Sequence, residues 1–206
     1  MADIQDINGE DVDMLSSDVS SHFKTQYTLK EFKSVGLDET FVLKIANSSN
    51  DRILAGLSNN SVIVYDGLNL SKIKNQDSKS PIIDVKFSPV NPDLYYTGTA
   101  ESLTLWDLRT KAKVSEFAMK TEEKNRQVKP LTCFDINKDD VYLGAGTEVV
   151  HNDAFMLFWD VRKNGQFLGG YWETFGDDIT MTSFRDSKEM VAASSDGQVR
   201  NLLFQV

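Results

Sequence analysis

Three short segments of the chain end in the same pair, an aromatic residue followed by aspartate. The pairs are Tyr65-Asp66, Trp106-Asp107 and Trp159-Asp160. They close the runs NNSVIVYDG (59–67), AESLTLWDL (100–108) and DAFMLFWDV (153–161), at spacings of 41 and 53 residues. Self-similarity at a period of this size marks one supersecondary unit used repeatedly, each copy burying its apolar surface only against its neighbours. That restricts the chain to a repeat architecture before any single element is assigned.

Upstream of each ending lies a second matched portion. FVLKIANSSNDRILAGLS (41–58) leads to Tyr65-Asp66, DVKFSPVNPDLYYTGT (84–99) to Trp106-Asp107, and LTCFDINKDDVYLGAGTE (131–148) to Trp159-Asp160. A fourth copy, ITMTSFRDSKEMVAASSDGQVRNLLF (179–204), carries Leu202-Leu203 where the others have aromatic-Asp. Every copy has an apolar run, a polar turn, a second run ending in small residues, a tight turn and a third run. Val, Ile, Phe and Tyr dominate the runs, as strands require, and no stretch past residue 24 shows a helical period. The expected fold class is therefore all-β.

These Trp-Asp endings at a period near 42 resemble the WD-repeat β-propeller family, in which each repeat is a four-stranded blade. The resemblance covers residues 38–206, with repeats at about 38–78, 79–125, 126–174 and 175–206. It implies that Tyr65, Trp106 and Trp159 pack between blades, while Asp66, Asp107 and Asp160 accept backbone hydrogen bonds at strand ends. The Gly-His that many WD repeats place before the first strand is absent from every copy, Phe175-Gly176 standing there before the fourth. The tight-turn Asp survives only as Asp196, with Asn59 and Ala100 in its place in the first two copies. Apolar packing should thus outweigh that hydrogen-bond network. The third copy is the longest. Matching Phe87 to Phe134 gives 19 residues to Trp106 against 25 to Trp159, and the excess falls near EVVHND (148–153).

Members of the resembled family are about twice this long, so the chain is expected to be a truncated form, an open arc of three to four blades. A closed four-bladed ring is the alternative. The run QYTLKEF (26–32), within a strand segment at 25–37, would close the last blade of a complete ring. An open arc leaves strand edges that invite self-association. Residues 1–24 read as a disordered acidic tail, because residues 1–23 hold six carboxylates of the formal net charge of −9 and no Lys or Arg.

Composition narrows the function. An acidic chain is not expected to bind nucleic acid non-specifically, and no apolar run is long enough to span a membrane as a helix. One cysteine, Cys133, and two histidines, His22 and His151, make a metal centre unexpected, and no secretory signal is visible, so an intracellular site, cytoplasmic or nuclear, is expected. No nucleophile elbow, phosphate loop or zinc-protease motif occurs, so no enzyme, no catalytic residue and no cofactor are expected. The expected role is a protein-interaction scaffold binding a protein or peptide on its rim. The sharpest candidate feature is WDLR (106–109) with WDVR (159–162), two Trp-Asp-x-Arg endings. They resemble those of WD-repeat substrate receptors of cullin-RING ubiquitin ligases, which implies that Arg109 and Arg162 contact the ligase adaptor. The plainer alternative is that both arginines pair with local acids.

Overall fold

The computed structural model describes residues 33–37, 39–110, 112–118, 129–149 and 153–203. The acidic tail and the run 26–32 lie outside the described residues. From Gly36 onward the chain forms one compact unit, and its described residues are strands joined by turns, without a helix.

The strands fall into four antiparallel meanders. The first sheet contains β1 (Val42–Asn47), β2 (Arg52–Leu57), β3 (Ser61–Asp66) and β4 (Lys72–Asp77). The second contains β5 (Ile82–Phe87), β6 (Leu94–Thr99), β7 (Leu103–Asp107) and β8 (Lys113–Phe117). The third contains β9 (Leu131–Ile136), β10 (Tyr142–Thr147), β11 (Ala154–Asp160) and β12 (Gln166–Phe175). The fourth has three strands, β13 (Ile179–Phe184), β14 (Glu189–Ser194) and β15 (Val199–Leu203). These are four propeller blades, the last one three-stranded. The first strands β1, β5, β9 and β13 touch in succession and form the inner wall.

The blades share one register. Each first strand is bulged near its start, at Val42/Lys44, Ile82/Asp84, opposite Gly146/Thr147 in the third blade, and at Ile179/Met181. The bulge adds twist and resets the pairing in the same place each time. This register corrects the sequence match of Phe87 to Phe134. Phe87 opposes Tyr95 and Ile136 opposes Leu143, whereas Val85 opposes Thr97 and Phe134 opposes Ala145. Phe87 is therefore equivalent to Ile136, and Phe134 to Val85. The extra length of the third blade does lie in its second hairpin, between Thr147 and Ala154.

Apolar packing between blades forms the core. Leu54, Val62 and Val64 of the first blade meet Ile82, Val85, Phe87 and Tyr95 of the second. Tyr96, Leu103 and Leu105 meet Leu131, Phe134, Leu143 and Trp159 of the third. Met156 and Phe158 meet Ile179, Met190 and Leu202 of the fourth. The small residues at the ends of the second strands make these junctions close. A Cβ at Gly98 would sit 2.8 Å from the Phe134 ring, and one at Gly146 would sit 2.5 Å from Ile179 Cγ2. Glycine is needed there for proximity, and the inserted side chain replaces the missing one.

Gly146→Ala should therefore lower stability by about 1–3 kcal/mol through overpacking, read as a fall in the urea midpoint. Combined with Ile179→Ala, which removes the Cγ2 that the new methyl would strike, the pair should cost less than the sum of the two single changes. A Gly36→Ala control, where nothing lies within 4 Å, should leave the midpoint unchanged.

Candidate functional site: clasped arginines on one rim

In an antiparallel meander the turn after the first strand and the turn after the third lie at the same end of the blade. This rim carries the aromatic-Asp endings, and each Asp closes the turn that follows it. Asp66 Oδ1 accepts from the backbone N–H of Leu68 at 2.9 Å and of Asn69 at 3.1 Å. Asp107 Oδ1 accepts from Arg109 N at 2.7 Å, and Asp160 Oδ1 from Arg162 N at 3.0 Å.

The second and third blades add an identical side-chain clasp. Arg109 donates from Nε to Asp107 Oδ1 at 3.3 Å and from Nη2 to Asp107 Oδ2 at 3.0 Å. Arg162 donates from Nε to Asp160 Oδ1 at 3.3 Å and from Nη2 to Asp160 Oδ2 at 3.2 Å. The carboxylates are buried while the arginine side chains are 65% and 58% exposed. The arginine hydrogen bonds, first of all, hold both carboxyls below the ordinary Asp range, and the carboxylates in turn raise both guanidinium groups. The planar fork fixes each guanidinium to its own blade, and the clasp uses two of its five N–H donors. The structure thus pairs both arginines with local acids and still presents them at the surface. Lys163 lies 4.0 Å from Asp160, and Lys113 pairs with Glu116 at 2.7 Å, so further cations flank the two clasps on a rim that also carries acids in its first turns.

The aromatic partners face the preceding blade. Trp159 is fully buried in the junction of the second and third blades. Trp106 stacks on Tyr95 at a 6.5 Å centroid distance, and Lys74 of the first blade reaches over both rings at 5.5 and 5.2 Å. Tyr65 is buried on the outer face of the first blade, its hydroxyl unpaired among the described residues. The two indoles differ. Trp106 Nε1 donates to Thr97 Oγ1 at 2.9 Å, whereas Trp159 Nε1 is buried without an acceptor among the described residues. The register explains this, because Thr97 and Ala145 occupy equivalent positions.

On the opposite rim, Asp196 Oδ1 accepts from Gln198 N at 2.9 Å and Oδ2 from Gly176 N at 3.1 Å. Its pKa is lowered, first by the Gln198 bond. Asn59 does half of this work in the first blade, accepting from Ser61 N at 3.1 Å.

Asp139 and Asp140, which no sequence motif singles out, join neighbouring blades. Asp140 accepts from Ser88 Oγ at 2.6 Å and from Tyr96 Oη at 2.7 Å, joining the second and third blades. Asp139 accepts from Ser187 Oγ of the fourth blade. Asp93 accepts from Arg52 Nη1 of the first at 2.6 Å. The shared signal was position, an acid in the first turn of a repeat. On the inner wall, Lys86 lies 3.8 Å from Asp84 and 3.3 Å from Asp135, whose other oxygen accepts from Phe184 N at 2.7 Å. Burial, the largest influence, raises Asp84. These carboxylates tie blades together. No group of three metal-ligating side chains converges among the described residues. Cys133 is buried, which pushes its thiol up. His22 and His151 lie outside the described residues.

No family model matches the chain. It is 26% identical over 165 residues to an uncharacterized WD repeat-containing protein of Schizosaccharomyces pombe, covering 79% of this chain and 48% of that protein. It is 28% identical over 181 residues to an uncharacterized WD repeat-containing protein of Saccharomyces cerevisiae, covering 83% and 43%. Its fold matches the computationally designed Ika4 protein with a TM-score of 0.68 and 17% identity, over 86% of this chain and 100% of that one, and the β-propeller domain of Myceliophteria thermophila Cps50 (Swd1) with a TM-score of 0.65 and 12% identity, over 80% of this chain and 54% of that one. The repeats, the blade topology and these relatives agree: the chain folds as β-propeller blades and is similar to WD repeat-containing proteins. It spans less than half the length of either curated relative.

Thr97→Val removes the acceptor of Trp106 without changing shape, and should cost about 1 kcal/mol, measured by denaturant unfolding. The clasps set a pH dependence. Because the folded carboxyls titrate below the unfolded value of about 3.9, their contribution is present above that pH and is lost as pH falls through the folded pKa. The melting-temperature gap between wild type and Arg162→Ala should therefore be full near neutrality and narrow in strong acid; a gap that widens in acid would contradict the clasp.

Proposed function

We propose that the chain is a non-enzymatic interaction scaffold, part of a larger propeller, whose rim binds an acidic protein or peptide segment. The observation that carries this reading is the pair of clasped arginines at equivalent turns of adjacent blades. A guanidinium held by its own carboxylate is already ordered, so a partner carboxylate loses little side-chain entropy in engaging its remaining donors. The WD-repeat relatives and the propeller blades support the scaffold class, and the greater length of those relatives supports membership in a larger ring. Residues 134–162 and 177–197 are also similar to two successive repeats of WD repeat-containing protein 89. An intracellular site, cytoplasmic or nuclear, belongs to the same proposal.

Binding of an immobilised Glu-rich peptide and of a Lys-rich control should separate the outcomes. The expected result is salt-sensitive retention of the acidic peptide, weakened about tenfold in Arg109→Ala/Arg162→Ala and also weakened in the double Lys variant, which keeps charge but loses the fork. Equal binding of both peptides would remove the rim as the site.

A second reading, substrate receptor of a cullin-RING ubiquitin ligase, is favoured by the shared geometry of the two Trp-Asp-x-Arg endings. Its test is capture of the ligase adaptor by the tagged chain. Capture that survives the double Ala change unaltered would sink this reading and leave the scaffold reading to the peptide experiment.

A further inference from the structure

The clasps of the second and third blades share one geometry, but their surroundings differ. The difference lies in the residue just before the second strand. Leu94 opposes Asp107 and Tyr142 opposes Asp160. One residue earlier, Leu108 N donates to Asp93 O at 2.9 Å, just as Val161 N donates to Val141 O at 2.8 Å. Asp93 and Val141 are therefore equivalent positions. Beside its clasp the second blade has a carboxylate where the third has an isopropyl group.

Asp93 is engaged on both oxygens. Oδ1 accepts from Arg52 Nη1 of the first blade at 2.6 Å, and Oδ2 lies 3.7 Å from Arg109 Nε. Arg109 thus faces two carboxylates, Asp107 and Asp93, and the group of Arg52, Arg109, Asp93 and Asp107 sets two cations against two anions. Among the described residues Arg162 pairs with one carboxylate, Asp160, and shares it with Lys163 at 4.0 Å. Two cations there meet one anion. In place of a second acid Arg162 has the Tyr142 ring, whose centroid is 5.8 Å from the guanidinium carbon. A cation–π contact of this kind steadies the fork without neutralising its charge. The first-turn acids of the third blade are committed to other partners, Asp140 to Ser88 and Tyr96 and Asp139 to Ser187. Exposure does not separate the two arginines, since both are more than half exposed. The number of carboxylates does.

We propose that the third-blade clasp anchors the acidic segment, with one partner carboxylate seated between the Arg162 guanidinium and the Lys163 ammonium. Arg109 is instead a positioning residue, which holds Asp93 for Arg52 across the first junction. This rests on the reading that the rim takes an acidic partner, and it separates two arginines that the repeat makes formally equal. The second blade shows the chemistry of the occupant, because Asp93 is a carboxylate set beside the clasped arginine. What the second blade supplies from its own sequence, the third takes from outside. A carboxylate approaching Arg109 would meet the repulsion of two anions already in place and would compete with Asp93. At Arg162 it completes the balance of two cations and two anions. Arg162 Nη2 and Lys163 Nζ lie 3.2 and 4.0 Å from the same oxygen, Asp160 Oδ2, so one carboxylate can span both. The fork gives that contact a direction, and the ammonium adds charge without one.

Fluorescence anisotropy of a labelled Glu-rich peptide, titrated with the whole chain at low salt, tests this, with a Lys-rich peptide as control. Arg162→Ala should weaken binding of the Glu-rich peptide about tenfold, and Arg109→Ala less than about twofold. Val141→Asp gives the third blade the carboxylate that the second has. It should weaken binding as far as Arg162→Ala does, with the Arg162 side chain still in place. Circular dichroism melts establish that each variant is folded, and the contrast of the two alanine variants decides by itself if Val141→Asp is not. Equal losses in the alanine variants, a larger loss at Arg109, or wild-type affinity in a folded Val141→Asp would overturn the anchor and leave the acidic-partner reading standing. Equal binding of the two peptides by the wild type would remove the rim as the site, and the anchor with it.

Discussion

The arc depends on one contact repeated three times: a side chain of one blade seated on a residue of the previous blade that has almost no side chain. Gly56, Gly98 and Gly146 let adjacent sheets approach until Ile82, Phe134 and Ile179 replace the absent groups. Apolar burial at about 25 cal/mol per Å² rewards each seat. Because the twisted sheets stack through these seats, the rims and the inner wall follow from them. The clasped arginines stand on equivalent turns of adjacent blades because their blades are stacked in register.

Polar contacts then fix what apolar packing leaves loose. Packing tolerates small slides, whereas a hydrogen bond at 2.6 Å does not. The acids in the first turns, Asp93, Asp139 and Asp140, each reach a neighbouring blade. On the inner wall Lys86 bridges Asp84 and Asp135. Burial of the Tyr96 phenol and its bond to Asp140 both favour the protonated hydroxyl, raising its pKa and keeping it a donor.

Much of the architecture was legible in the sequence, because strand period and the aromatic-Asp endings are local signals. The four repeats, the short fourth blade and the long second hairpin of the third all appear where the residues indicated. Equivalence inside a strand was harder. Phe87 and Phe134 look alike as letters, but pairing across the bulge puts Phe134 with Val85. The glycines near strand ends read only as small residues, since what Gly56, Gly98 and Gly146 make room for, Ile82, Phe134 and Ile179, lies a full blade-to-blade connection further on. At the candidate site, the pairing of Arg109 and Arg162 with neighbouring acids was readable from two-residue spacing. The inter-blade reach of Asp140 was not, because its partners Ser88 and Tyr96 lie 52 and 44 residues away.

A stack in which each blade touches only its neighbours has a graded interior. The second and third blades are packed on both sides, and the cluster between them joins Trp159, Phe134, Tyr96 and Phe117. The fourth blade has three strands and one packed face. Stability in such arrays is close to a sum of unit and nearest-neighbour contributions, and local opening draws on the weakest of them. Amide protons of β7, β10 and β11, in the blades packed on both sides, should therefore exchange more slowly than those of β14 and β15. The rim carrying the two clasps is mounted on those doubly packed blades.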